Sequence, residues 1–423
     1  MDNSKVLVDL GNVSIDSLKH DLDNPVHMRY TATFDHDIND ELIIQAWTRT
    51  KRVYPIIDSV LEYDKELIEY YGSDKKASGG KTRVLLVKTE EGVNDPIKSK
   101  VTVAPGTDAA AKRTICISYY ERKVTISGYH IVTDGSGLNM IFNTFLFSYL
   151  ALYTGHEDEK PTVELREGRK PDEYYTSDIK GYIYAQEYNP VPLYSLPSYC
   201  KTFNDKGLVF DGNTYSGSLS IPVSEFMKLC KDNGSNPSSM LCVLTAKASY
   251  GVNKGETDDV VFVTTLSLKK VLGLNDDIAN ASSFMVTYAS YDDAMKKSLA
   301  DVTQRIRKDL DMQRTKDYCI THKRMEESYS LVPKFIPKIV TYLGTVSIGD
   351  NMKHIVDFSM ENDGHYVVYM MQLNDRFIIT FQYDNLTGKY LSEMQKVLGE
   401  LGIEAEITHP VSRITNDSKV AVL

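Results

Sequence analysis

The sequence predicts a mixed α/β protein built as two layered lobes. Strand-like and helix-like segments alternate irregularly and include hairpins, the pattern of a mixed sheet packed under helices. The rhythm of the first half returns in the second. With 423 residues, 42% of them hydrophobic, the chain can bury two cores. We expect an N-terminal lobe over residues 1–160, a crossover over 161–206 and a C-terminal lobe over 207–423.

Residues 26–34 read as a strand. Asn39 and Asp40 can cap a helix running to Arg52, with Leu42, Ile43, Ala46 and Trp47 on its apolar face. Pro55 ends or kinks it, and a second helix is expected over 57–70. RVLLVK at 83–88 is a short, mostly buried strand. Residues 94–111 are polar, hold Pro96 and Pro105, and are expected to form a loop. Residues 114–127 give two strands joined by a tight turn at Glu121 and Arg122. In the second strand Val124, Ile126, Gly128 and His130 share one face by the period of two. After a break at 133–137, Leu138, Ile141, Phe142, Phe145, Leu146, Tyr149 and Leu150 recur at helical spacing, and Gly155 closes that helix. The crossover is charged at first, then rich in proline and tyrosine. Seven of the 28 tyrosines fall between Pro171 and Cys200, so it is expected to lie irregularly on the surface and bury its rings.

In the second half, 216–221 is a strand, and Pro222 opens a helix with the stripe Val223, Phe226, Met227 and Cys230. Pro237 opens another, carrying Met240, Leu241, Leu244 and Ala248. A strand is expected at 260–268 and one long helix at 292–314, carrying Met295, Leu299, Val302, Ile306 and Leu310. Residues 365–372 and 376–382 form a hairpin turned at Asn374-Asp375, and a last helix covers 388–401.

Net charge is −10, which argues against nucleic acid as the main partner. The N-terminus lacks a basic stretch followed by an apolar run, and no segment approaches the ~20 apolar residues of a membrane span. The five cysteines (Cys116, Cys200, Cys230, Cys242 and Cys319) are scattered, with no Cys-x-x-Cys pair. They predict plain thiols in a reducing, cytoplasmic compartment rather than a zinc site or disulfides.

The chemistry concentrates at residues 127–142, SGYHIVTDGSGLNMIF. A strand leads to His130, three residues follow, then Asp134-Gly135, small residues and the amphipathic helix. Imidazole accepts a proton near neutral pH, and a strand end beside a turn can project it into an opening. Glycine at 135 tolerates close backbone approach. Asp134 can serve either as a helix cap or as a charge that locks the loop. His130 and Asp134 straddle a turn with no third ligand at useful spacing, so no metal is expected. The other histidines have no comparable setting.

In this context the stretch resembles the superfamily of chloramphenicol acetyltransferase, peptide-synthetase condensation domains, alcohol acetyltransferases and plant acyltransferases, which share His-x-x-x-Asp-Gly. Tyr129 stands where condensation domains carry an extra His, which points to the alcohol acetyltransferase-like branch. Residues 265–280 (TLSLKKVLGLNDDIAN) are similar to a family segment with an Arg and then Gly-Asn. Here Lys269 takes the Arg position and Ala279-Asn280 replaces Gly-Asn; the plant Asp-Phe-Gly-Trp-Gly motif is absent.

The resemblance implies two chloramphenicol acetyltransferase-like lobes forming a V around a central channel. It implies His130 as general base and Asp134 and Gly135 as structural members of the motif. Lys269 or Arg29 would pair with Asp134; Ser282, Ser283 and Thr264 are candidate oxyanion donors. It implies transfer of an acyl group from acyl-CoA to a hydroxyl or amine of a small-molecule acceptor, with no bound cofactor. The alternatives are a phosphopantetheine thioester on an acyl carrier protein as donor, or a catalytically silent carrier-binding scaffold. Either donor is anionic. Residues 296–338 hold eleven basic and six acidic residues inside this acidic chain, which makes Arg305, Arg307 and Lys308 candidate docking residues. The competing reading is a solvated helix face.

Overall fold

The computed structural model of the chain describes residues 5–9, 27–62, 83–88, 94–106, 110, 113–130, 132–156, 179–202, 205–208, 213–325, 338–362, 366–414 and 420–422. Its strands are β1 (Lys5–Asp9), β2 (His27–Phe34), β3 (Ser59–Glu62), β4 (Arg83–Lys88), β5 (Ile97–Lys98), β6 (Val101–Val103), β7 (Ile115–Tyr120), β8 (Lys123–Tyr129), β9 (Thr214–Pro222), β10 (Val260–Ser267), β11 (Ser282–Ala289), β12 (Lys338–Thr345), β13 (Ile355–Asn362), β14 (Val367–Leu373), β15 (Arg376–Tyr383), β16 (Glu406–Ile414) and β17 (Val420–Val422). The α-helices are α1 (Asp40–Val53), α2 (Gly135–Thr154), α3 (Ile179–Tyr184), α4 (Val223–Asp232), α5 (Pro237–Val252), α6 (Lys269–Leu272), α7 (Tyr291–Met295), α8 (Leu299–Gln313), α9 (Lys316–Met325) and α10 (Thr387–Glu400).

Two large sheets organise most of these elements, beside a three-stranded sheet β1-β4-β3 and the pair β17-β6. One is ordered β13-β2-β8-β7-β5, the other β11-β10-β12-β14-β15-β9-β16. The first is covered by α1 and α2, whose Trp47, Phe142 and Phe145 are fully buried against Tyr30, Ile126 and Phe358. The second buries α5 and α10 through Met240, Leu244, Leu391 and Leu398. β13 belongs in sequence to the second half yet runs antiparallel to β2, with Met360 opposite Tyr30. The second half therefore completes the sheet of the first, and the two are tied by backbone hydrogen bonds as well as by packing.

Local chemistry explains the boundaries. Asn39 Oδ1 accepts the Glu41 and Leu42 N–H groups and starts α1. Gly155, at φ 72°, ends α2 in the left-handed region where glycine meets no Cβ penalty. The β7–β8 turn sits at Glu121 and Arg122 and the β14–β15 turn at Asn374 and Asp375, as the sequence predicts.

Three expectations are corrected. The helix expected over 57–70 is a 3₁₀ turn at Pro55–Asp58 followed by β3, because Val60 and Leu61 find partners in Val87 and Leu86 of β4; residues 63–70 lie outside the described ones. The long helix expected over 292–314 is broken between α7 and α8. Ser298 restarts it, its hydroxyl capping the Asp301 N–H at 3.1 Å. The expected loop at 94–111 contains the short strands β5 and β6. The crossover's described part carries α3 and otherwise irregular chain; residues 157–178 and His365 lie outside the described ones. Among the described residues no helix is long and apolar enough to cross a membrane.

Candidate active site

β8 delivers His130. Val124 through Tyr129 are buried along the strand, which anchors its end, and His130 stands half-buried in the turn that follows. Tyr129 points into the protein, 1% exposed, with its ring 5.8 Å from that of His27. It therefore adds no second group beside His130.

The turn after His130 is bolted to the other half of the chain. Thr133 forms an antiparallel bridge with Ala279, and its hydroxyl donates to the Ile278 carbonyl at 2.6 Å. Asp134 then does two jobs at once. It caps α2, accepting the Gly137 N–H at 2.8 Å and the Ser136 hydroxyl at 2.7 Å through Oδ1. The same oxygen lies 2.8 Å from Lys269 Nζ, and Oδ2 accepts the Ala281 N–H at 3.2 Å. Asp134 and Lys269 are each 3% exposed, so this is a buried ion pair across the seam. Of the two basic residues considered for Asp134, Lys269 is thus the one in contact; Arg29 sits on β2 opposite Ser127. Below the pair, burial first and the Asp134 charge second raise the Tyr30 phenol well above its ordinary pKa. Its hydroxyl stays protonated and donates to the Gly135 carbonyl at 3.0 Å.

The close approach expected at Gly135 belongs to Gly137. A Cβ on Gly135 would sit 3.4 Å from Tyr30 Oη, whereas one on Gly137 would lie 2.3 Å from the Ile278 carbonyl oxygen. Only a residue without a side chain lets the two halves meet there.

His130 is held from across the same seam. Asn280 Nδ2 donates to the His130 carbonyl at 2.7 Å and lies 3.2 Å from Nδ1. Asn280 Oδ1 in turn accepts the Ser282 N–H at 3.1 Å and the Ser282 hydroxyl at 2.7 Å, which fixes which end of the amide faces His130. Among the described residues Nε2 has no hydrogen-bond partner, and the residue is half-buried. In sequence Asn280 stands out only as a member of the altered Ala279-Asn280 motif. Its contact with His130 spans 150 positions, and no local pattern announces it.

Of the candidate oxyanion donors, only Ser282 joins this group. By strand alternation Ser282 and Ser267 pair on one face of β10–β11, the face where Ser267 Oγ lies 3.5 Å from Ser136 Oγ. Thr264 falls on the other face, buried opposite Met285, and Ser283 Oγ lies 3.5 Å from His322 Nδ1. The two arginines of α8 are engaged by neighbouring carboxylates. Arg305 contacts Asp309 at 2.9 Å and Asp293 at 3.2 Å, and Arg307 contacts Asp311 at 3.4 Å. Lys308 is exposed, and with Arg307 it lines an open surface hollow beside Gly234 and Met312. No cysteine joins the site. Burial pushes the Cys116, Cys230 and Cys242 thiols up to about 12, which removes them as thiolate nucleophiles.

No protein-family model matches the chain, and no curated protein matches it in sequence. Solved structures do match in fold. Polyketide synthase associated protein 5 from Mycobacterium tuberculosis superposes with a TM-score of 0.59 at 13% identity, over 93% of this chain and 98% of that one. TRI101 from F. graminearum, complexed with coenzyme A and T-2 mycotoxin, gives 0.61 at 9% identity, over 95% and 99%. TRI3 trichothecene 15-O-acetyltransferase from Fusarium sporotrichioides gives 0.59 at 10% identity, over 93% and 95%. At these identities the likeness is one of fold, and it covers nearly the whole of each chain. The chain therefore has the chloramphenicol acetyltransferase-like, condensation-domain fold that residues 127–142 led us to expect.

Proposed function

We propose that this protein transfers an acyl group from acyl-CoA to a hydroxyl or amine, with His130 as general base. The observation that carries the reading is the setting of His130. It is half-buried at a strand end, its peptide is held by Asn280 from the other half, and Nε2 is left open. TRI101, a protein of the same fold, was crystallised with coenzyme A and T-2 mycotoxin, and TRI3 is named as an acetyltransferase.

In this mechanism the acceptor's oxygen or nitrogen attacks the thioester carbonyl carbon while Nε2 takes its proton. For Nε2 to accept, the resting ring carries its hydrogen on Nδ1. In that tautomer Nδ1 and Asn280 Nδ2 are both donors and make no hydrogen bond to each other, so Asn280 holds His130 through the carbonyl alone, at 2.7 Å. The tetrahedral intermediate collapses by breaking its C–S bond, and the imidazolium returns the proton to the departing thiolate. Products are the acylated acceptor and the free thiol; no covalent acyl-enzyme and no metal are required. The Asp134–Lys269 pair lies next to this chemistry and serves it by fixing the turn that carries His130.

The test is to incubate the protein with a panel of acyl-CoAs and candidate hydroxyl and amine acceptors and follow thiol release. Acceptor-dependent release above the uncatalysed rate supports the reading. Release only from thioesters on a carrier protein would shift the donor to that class, and no release from either would leave a binding scaffold.

A further inference from the structure

A second cluster of functional groups lies at the other end of β2. Asp35 follows the strand directly, His36 is next to it, and His354 closes the 3₁₀ turn that feeds β13. His36 Nδ1 lies 2.6 Å from Asp35 Oδ1, and His354 Nδ1 lies 3.0 Å from Asp35 Oδ2. One ligand atom from each of the three falls within 4.8 Å of the others. We propose that Asp35, His36 and His354 form a binding site for a divalent transition-metal ion of the zinc class.

The donor set fits that ion. Two imidazole nitrogens and one carboxylate suit zinc, cobalt or nickel far better than calcium or magnesium, which take oxygen ligands. With metal–ligand bonds of ~2.0–2.2 Å, neighbouring donors in a tetrahedral site stand ~3.3 Å apart. The two Asp35–imidazole spacings, each to its own carboxylate oxygen, need to open by only a fraction of an ångström, and all three ligand atoms already lie within 4.8 Å of one another. The ring of His36 is already aimed. It stacks on Tyr153 with centroids 3.6 Å apart and planes 2° from parallel, and its Nε2 lies 3.4 Å from the Tyr149 hydroxyl. Engaging Nε2 there leaves Nδ1 as the ligating nitrogen, the orientation that outer partners give a metal-bound histidine. The Asp35 side chain is 41% exposed, which gives an ion a route in and leaves a coordination position for water.

The site is remote from His130. His27 pairs with Tyr129, the neighbour of His130, while Asp35 lies beyond the far end of the eight-residue β2. At ~3.3 Å per residue the separation is ~25 Å along the strand. The ion's consequence is therefore structural. His354 precedes β13, the strand that the second half lends to the first half's sheet, and its carbonyl already accepts the Asp35 N–H at 3.1 Å. An ion held by Asp35, His36 and His354 would clip that strand in place, stabilising the folded state by mass action.

The experiment uses the full chain, free of any affinity tag and stripped with chelator. Zn²⁺ titration by calorimetry should show one ion bound per chain, with a Tm that rises and saturates. Co²⁺ substitution should give the visible absorption of a low-coordinate site. His36→Gln and His354→Gln should each abolish the cobalt spectrum and the Tm rise while keeping the circular dichroism of the stripped wild type. Absence of saturable binding by the wild type, or equal binding by both variants, would overturn the proposal.

Discussion

Lys269 Nζ stands 2.8 Å from Asp134 Oδ1, each residue is 3% exposed, and 135 positions of sequence separate them. The two do not depend on each other equally. Asp134 also accepts hydrogen bonds from Ser136, Gly137 and Ala281, while Lys269 has, among the described residues, only the Ser136 hydroxyl besides, at 3.1 Å. Asp134→Asn strands a buried ammonium and should cost about 3–5 kcal/mol. Lys269→Met leaves a carboxylate that still has three donors and should cost less. Urea unfolding of both variants checks the order; a larger loss for Lys269→Met would contradict it.

Gly137 sets the separation of the two halves. Gly137→Ala puts a methyl group 2.3 Å from the Ile278 carbonyl, a backbone atom that cannot swing aside. Overpacking of this kind costs about 1–3 kcal/mol, and here the strain falls on the turn bearing His130. Both Tm and turnover should fall. Gly135→Ala, whose Cβ meets nothing closer than 3.4 Å, should change stability by less than about 1 kcal/mol. Equal effects of the two substitutions would refute this reading of the seam.

How far the sequence reached follows from the range of each interaction. Asn39, Gly155 and the Asn374-Asp375 turn act over a few residues, so the first helix, the motif helix and the last hairpin could be read from the chain. Ser298 is equally local, but Met295, Leu299 and Val302 keep a helical spacing through it and hide the break, although Met295 is exposed in the structure. The turn bearing His130 was legible because strand, small residues and helix adjoin. Asn280, Gly137 against Ile278, and β13 beside β2 were not, since each is defined by a partner far along the chain. Strand alternation along β11 separates Ser282 from Ser283, but it acts only once residues 282–289 are known to be a strand.

Acid stability should depend on Asp205. Burial pulls its carboxyl upward, but Lys338 at 2.7 Å and hydrogen bonds from Tyr390 and Asn253 outweigh burial and hold it below the ordinary carboxylate range. A carboxyl lowered by folding adds stability that is fully present above its unfolded pKa of ~3.9 and is lost as pH falls through the folded value. The gap in unfolding free energy between wild type and Asp205→Asn should therefore be wide at neutral pH. It should narrow as pH drops below ~4. A gap independent of pH would show that Asp205 acts by packing alone.

The central claim rests on His130 Nε2, and turnover of His130→Ala with acyl-CoA and an accepted hydroxyl or amine tests it most directly. Measured at saturating donor, turnover should fall about 10²–10⁴-fold, the usual effect of removing a general base, while the Tm stays near wild type. Near wild-type turnover in a folded His130→Ala protein would contradict the account.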